Sequence, residues 1–212
     1  MRFFVLHPVI PNYPNAKFPG VIVYSEIYQV TGPVARFARD IAGQGYVVVA
    51  PSSYHNFVAW EPLPYDIKGT DDDNRLAIEY LLGFRACTGK IGATGMCLGG
   101  HLAFRAALDK RLARSGEIAG ELVMVFGDND NHVPLEGRDL IRSTLRGHGV
   151  TLTFIEIIEE QHAFIRDEFP KDRYNPAITK ACFEWLLELF HRRFAMDLGD
   201  NDGKAVEIED VC

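Results

Sequence analysis

The sequence predicts a doubly wound α/β fold, a mostly parallel sheet with helices on both faces. Three observations predict it. Short β-branched runs alternate with stretches of helical period along the 212 residues. Glycine or proline punctuates most junctions between them. The run Lys90 to Thr94 leads through Gly95-Met96-Cys97-Leu98-Gly99-Gly100 straight into a helix-prone stretch, giving a strand, a tight turn and a helix. Parallel strands joined by crossover helices build this architecture. The length suits one domain, expected over residues 1–196, followed by an acidic, loose tail over 197–212.

The elements follow in order. Arg2 to Leu6 reads as a strand and Pro11 to Pro19 as a proline-bearing loop. Gly20 to Ser25 is a buried strand. Pro33 to Gln44 is a helix with Val34, Phe37, Ala38 and Ile41 on one face, ended by Gly45. Tyr46 to Ala50 is a strand cut by Pro51. Ser52 to Gly69 is irregular and rich in aromatics (Tyr54, His55, Phe57, Trp60, Tyr65), either lining a pocket mouth or packing as a surface loop. Asp71-Asp72-Asp73 reads as the acidic first turn of a helix over Asn74 to Leu82 rather than as a metal site. A helix over His101 to Leu108 follows the Cys97 turn. Val123 to Phe126 is a strand, Pro134 to Arg146 a helix ended by Gly147, and Thr151 to Ile158 a strand. The last helix spans Asn175 to Phe194, with an apolar stripe of Ile178, Cys182, Trp185, Leu186 and Leu189.

The Cys97 turn carries the chemistry. A nucleophile between Gly95 and Gly99 on a strand-to-helix turn forms a nucleophile elbow, with cysteine where serine is commoner. The turn leaves no room for Cβ atoms two positions either side. The helix that follows aims its positive end at the sulfur and favours the thiolate, the reactive form. The same cysteine would also suit a buried turn as a small hydrophobe, so it needs an acid and a base. The acid candidates, Asp128 and Asp130, lie in the loop after the Val123 strand. Gly127-x-x-Asp130-x-x-Val133-Pro134 favours Asp130, leaving Asp128 as an alternative or a helix cap. The base candidate is His162, in the loop after the last strand. Nucleophile, Asp and His thus come in the chain order of an α/β-hydrolase.

Four words, Ser25 to Gly32, Gly95 to Gly100, Gly127 to Pro134 and Gln161 to Arg166, together resemble the dienelactone hydrolase family over nearly the whole chain. The resemblance implies the α/β-hydrolase fold and a cytosolic hydrolase opening lactones or small carboxylate-bearing esters, with no cofactor and no metal. It implies a catalytic set of Cys97, His162 and Asp130, assisted by Glu26, which would contact the thiol at rest and help deprotonate it when substrate arrives. It places the oxyanion donors at the backbone N–H groups of Ile27 and Leu98. It gives Arg166 the substrate carboxylate, a task for which a planar guanidinium is suited.

Composition narrows the partners. A net charge of −7 argues against nucleic-acid or anionic-membrane binding. Four cysteines (Cys87, Cys97, Cys182, Cys212) at no paired spacing suggest free thiols in a reducing, cytoplasmic setting, neither a disulfide frame nor a zinc site. Cys182 is expected in the core. The opening Met1 to Pro8 is too short an apolar run for a signal peptide, and no stretch reaches the ~20 apolar residues of a membrane span. The expected partner is a small-molecule substrate, and the expected state a monomer or a weak self-associating species.

The middle of the chain is short. Between the Cys97 helix and the Val123 strand this fold ordinarily places another strand, yet only the charged segment Asp109 to Gly120 is present. The lead from Gly69 to Asp73 is short as well. The Val123 strand then either slides one place toward Cys97 or leaves a gap. A slide of ~4.8 Å would break a triad that needs contacts of about 3 Å. A missing strand would expose Leu102, Phe104 and Leu108 or recruit a neighbouring subunit to cover them. Two classes of function therefore stay open: a cysteine-dependent ester or lactone hydrolase, and a catalytically impaired relative that binds a ligand or partner. Redox sensing through Cys97 is a third.

Overall fold

The computed structural model describes residues 2–52, 67–109, 120–168 and 173–200. Strands and helices alternate along them: β1 (Phe3–Leu6), β2 (Phe18–Tyr24), α1 (Gly32–Gly43), β3 (Val47–Pro51), α2 (Ile67–Gly83), β4 (Cys87–Gly95), α3 (Leu98–Ala106), β5 (Glu121–Gly127), α4 (Leu135–Gly147), β6 (Thr151–Ile157) and α5 (Pro176–Arg193). The first four strands form a sheet in the order β1-β3-β2-β4, and β5 pairs with β6 separately. Only β1 runs antiparallel; every other pairing is parallel.

Side-chain alternation sorts the helices onto two faces. Val21 pairs with Val48 and Ile22 with Val49, so neighbours in register share a face. Val21, Val23, Val48 and Ala50 pack against Val34, Ala38 and Ile41 of α1 and against Leu187 and Phe190 of α5. Phe18, Ile22, Tyr24, Val47 and Val49 pack on the other face with Ala77, Ile78 and Leu81 of α2 and Leu102 of α3. β2 and β3, covered on both faces, are buried at every residue. Each such side chain, fully buried, contributes roughly 1.5–3 kcal/mol.

The sheet is interrupted where the sequence is short. β4 and β5 do not pair, and no strand lies between them among the described residues. Among the described residues the Val123 strand stands apart from β4 rather than pairing with it. Burial records it: β5 is only half-buried from Glu121 to Phe126, and most of β4 is half-buried or exposed. Both strands present backbone edges to the gap.

Several expectations are corrected. Leu102 is fully buried against the sheet, Phe104 is half-buried, and of the three only Leu108 is exposed. α2 begins at Ile67, so Asp71 to Asp73 lie inside the helix and not in its first turn. Asp71 pairs with Arg105 of α3 at 2.5 Å, and Asp73 is buried. Cys182 is half-buried, and the buried residues of α5 are Leu187, Leu189 and Phe190 instead. The tail begins tied: Lys17 and Asp197 form an antiparallel bridge. The aromatic residues from Tyr54 to Tyr65, most of Asp109 to Gly120, and residues 201–212 lie outside the described residues.

Candidate active site

Cys97 sits between β4 and α3 at φ 58° and ψ −124°, a conformation that L-residues rarely hold. The turn survives because its neighbours are glycines. A Cβ on Gly95 would overlap the carbonyl of Gly99, and one on Gly99 would overlap the carbonyl of Tyr24 at the end of β2. The elbow is thus pressed against the β2 end, where Ser25 and Glu26 are buried.

The candidate acid and base, Asp130 and His162, lie in the loops that follow β5 and β6. Gly127 closes β5 so tightly that a Cβ there would overlap the carbonyl of Glu160. The two loops beyond the strands are laced by Asp128 N–H to Ile157 O and Asn129 N–H to Glu160 O, each 3.0 Å. Arg138, buried in the first turn of α4, donates to the carbonyls of Val133 (2.9 Å) and Asp128 (3.2 Å) and to Glu156 on β6 (2.7 Å). It fixes the acid loop from beneath. Asp130 is buried with Oδ1 accepting from the backbone N–H groups of His132 (2.8 Å) and Val133 (3.2 Å). His162 lies in a turn closed by Arg166 N–H to Ala163 O, and the next ring, Phe164, is buried.

These loops meet the elbow across the gap. His162 Nε2 lies 3.0 Å from Cys97 Sγ, and His162 Nδ1 lies 2.8 Å from Asp130 Oδ2. Asp128 is exposed and offers its carbonyl to Arg138, so of the two acids Asp130 meets the imidazole. The bond to Cys97, and after it the bond to Asp130, push His162 up to about 9 against the opposing effect of burial. Burial acts to raise Asp130, but the bonds from His162, His132 and Val133 prevail and hold it below the usual carboxylate range. Together they favour an imidazolium beside a carboxylate.

Arg166, buried, bonds Glu26 at 3.1 Å and Glu168 at 2.6 Å, and its guanidinium lies 4.9 Å from the centre of the Tyr28 ring. The resemblance implies a Glu26–thiol contact at rest; here the thiol faces His162 and Glu26 Oε2 accepts from Arg166. Arg166 Nε is buried with no bonding partner among the described residues. Ile27 follows Glu26, and Leu98 opens α3. Neither of their N–H groups donates to a backbone carbonyl among the described residues. A second clamp, Arg36 of α1 on Asp167 at 2.5 Å, ties the His162 loop to the four-stranded side.

The sequence reading missed Arg138 and His132. Arg138 carried a signal: a cation in a helix's first turn opposes the helix dipole, and Glu156 is the one charged residue of β6. His132 stands two residues after Asp130, with its ring stacked on that of His162 at 4.1 Å. Asp130, His132 and His162 form the one group among the described residues with atoms placed to hold a metal ion.

The family model described as "Dienelactone hydrolase family" matches residues 7–115 and 107–194. The chain belongs to the dienelactone hydrolase family. It is a hydrolase, of the carboxylic ester class, with a small-molecule substrate. The two matched stretches overlap over residues 107–115, between α3 and β5 in the chain. A Saccharomyces cerevisiae protein named "Putative carboxymethylenebutenolidase" is 48% identical over 256 aligned positions, covering 100% of this chain and 94% of that protein. Those 256 positions against 212 residues leave about 44 at which the relative has sequence and this chain has none. A Pseudomonas carboxymethylenebutenolidase is 23% identical over 209 positions, covering 84% of this chain and 86% of its own. A dienelactone hydrolase-like promiscuous phosphotriesterase from metagenomic libraries shares the fold at TM-score 0.71 and 17% identity, over 85% of this chain and 88% of that one. No helix among the described residues is long and apolar enough to cross a membrane.

Proposed function

We propose that the chain is a cysteine-dependent hydrolase of lactones or small carboxylate-bearing esters, with Cys97, His162 and Asp130 as its triad. The observation that carries the proposal is the chain of contacts from Cys97 Sγ to His162 at 3.0 Å and on to Asp130 at 2.8 Å. The Cys97 thiolate attacks the carbonyl carbon, and the oxyanion is stabilised by the N–H groups of Ile27 and Leu98. The C–O bond breaks as His162 gives its Nε2 proton to the departing alkoxide or enolate. His162, now neutral, takes a proton from water, the hydroxide attacks the thioester, the C–S bond breaks to restore the thiolate beside the imidazolium, and the carboxylic acid leaves, losing its proton to solvent. Asp130 keeps the imidazole oriented and stabilises its cationic form. The Nε of buried Arg166, which has no bonding partner among the described residues, supports a site for an anionic substrate group. A substrate carboxylate there competes with Glu26 for the guanidinium and frees Glu26 toward the thiol.

The interrupted sheet favours a second reading, a ligand-binding relative without turnover. Rapid alkylation of Cys97 by iodoacetamide across pH, alongside hydrolysis of p-nitrophenyl acetate, separates the two. The proposal expects fast labelling at neutral pH together with turnover that labelling abolishes. A reactive thiol without turnover points to the second reading, and a slow thiol contradicts both the ion pair and the proposed mechanism.

A further inference from the structure

We propose that Asp130, His132 and His162 form a binding site for zinc or a similar divalent transition-metal cation, and that the bound cation switches the hydrolase off. The donor set is one carboxylate and two imidazoles, a set that zinc takes with water as its fourth ligand. The three donor atoms all lie within 4.8 Å of one another. His162 Nδ1 is 2.8 Å from Asp130 Oδ2, and His132 Nδ1 is 3.7 Å from Asp130 Oδ1. Zinc–ligand bonds of about 2.0–2.2 Å place tetrahedral donors roughly 3.4 Å apart. To share one ion the His132 ring must turn out of its stack on His162 so that both ring lone pairs converge, and its 61% exposed side chain leaves it room to do so. The carboxylate is already fixed by the N–H groups of His132 and Val133. The exposed His132 side also opens the site to ions from solvent.

The ester mechanism gives the His132 ring no task. It nonetheless lies against the His162 ring, 4.1 Å between centres at 28°. The inhibitory consequence rests on the triad reading; the binding itself does not. Zinc would occupy His162 Nδ1, displacing the proton there to solvent. The proton on Nε2 stays beside the Cys97 thiolate. His162 can then no longer cycle between imidazolium and imidazole, and Asp130 is drawn from the ring to the metal.

The test uses the full chain with zinc sulfate. Binding is read by competition with a chromophoric chelator, and turnover by p-nitrophenyl acetate. Wild type is expected to bind one zinc per chain and to lose turnover as it fills. His132→Phe keeps a ring over His162 and removes the ligand. It should weaken zinc binding and inhibition at least tenfold, with metal-free turnover within about twofold of wild type. His132→Ala should do the same. Cys97→Ser, expected to lose turnover, should bind zinc as wild type does. If zinc binds and inhibits the His132 variants as it does wild type, or if Cys97→Ser loses the binding, the ion sits on the Cys97–His162 pair and the proposal is overturned. No binding by wild type at millimolar zinc overturns it too. Should no variant hydrolyse ester, the chelator competition still decides the site, so failure of the triad reading is read separately.

Discussion

At the scale of single residues, the account turns on where protons sit. His162 is pushed up to about 9, first by Cys97 and then by Asp130. Turnover should therefore fall as pH rises past about 9, when the imidazolium that protonates the leaving group is lost. Asp130→Asn removes one cause of the elevation, so the alkaline limb should move to lower pH and kcat should drop by about 10²–10⁴-fold. A pH–rate profile of both proteins checks it. Stability has a sign of its own. His162 binds its proton more tightly folded than its ordinary value of about 6.5, so its contribution is complete below that value and vanishes as pH passes about 9. Asp130 acts oppositely: its contribution is present at neutral pH and is lost as pH falls through its depressed value. Glu26→Gln weakens the hold on Arg166; its turnover with a carboxylate-bearing ester should fall more than with a neutral one, and equal losses would remove Glu26 from substrate handling. Much of this was legible in the sequence. Cys97, Asp130 and His162 each stand in a word whose glycines and chain order betray a turn at a strand end. The partner of Glu26 was not, because which of two groups a carboxylate meets, the half-buried thiol or the buried guanidinium, is set by packing between distant loops.

At the scale of elements, the elbow and the acid loop are the two rigid pieces. Gly99→Ala would force a methyl group into the Tyr24 carbonyl. Such overpacking costs at least ~1–3 kcal/mol, and since the displaced group is backbone, thiol reactivity should fall with stability. Thermal unfolding and iodoacetamide rates measured together test this. Arg138→Leu leaves the carbonyls of Val133 and Asp128 without their donor. Its expected cost is about 1–3 kcal/mol, with a larger loss in kcat than in KM because Asp130 loses its support. β2 and β3 were readable as short continuous apolar runs covered on both faces, and α1 by its single apolar face. The start of α2 was not, since three aspartates resemble a helix's first turn by composition. Pairing of Asp71 with Arg105, a contact 34 residues away, explains their place inside the helix.

At the scale of the whole molecule, the contacts among Cys97, His162 and Asp130 join two sheets that share no strand pairing among the described residues. Cys97 comes from the four-stranded side, and Asp130 and His162 from the β5–β6 side. What joins them is helical and ionic: α5 packs on the four-stranded core and grips β5 through Glu121, held by Arg192 at 2.6 Å and Arg193 at 2.7 Å. Arg36–Asp167 and Arg166–Glu26 close the opposite end. The sequence announced the missing strand by length alone; that it left a gap depended on these clamps. The two open strand edges make self-association the expected failure, so light scattering should show mass rising with concentration, and a strictly monomeric chain at all concentrations would mean the edges are covered. The central claim is that Cys97 carries the acyl group within a triad spanning this gap. Its most direct test is intact-protein mass after rapid acid quench with p-nitrophenyl acetate. The account predicts one acetyl per chain, mapped to Cys97, accumulating in His162→Ala and absent in Cys97→Ser. Ester hydrolysis that continues unchanged in Cys97→Ser, with no adduct on Cys97 in either of the other proteins, would contradict it.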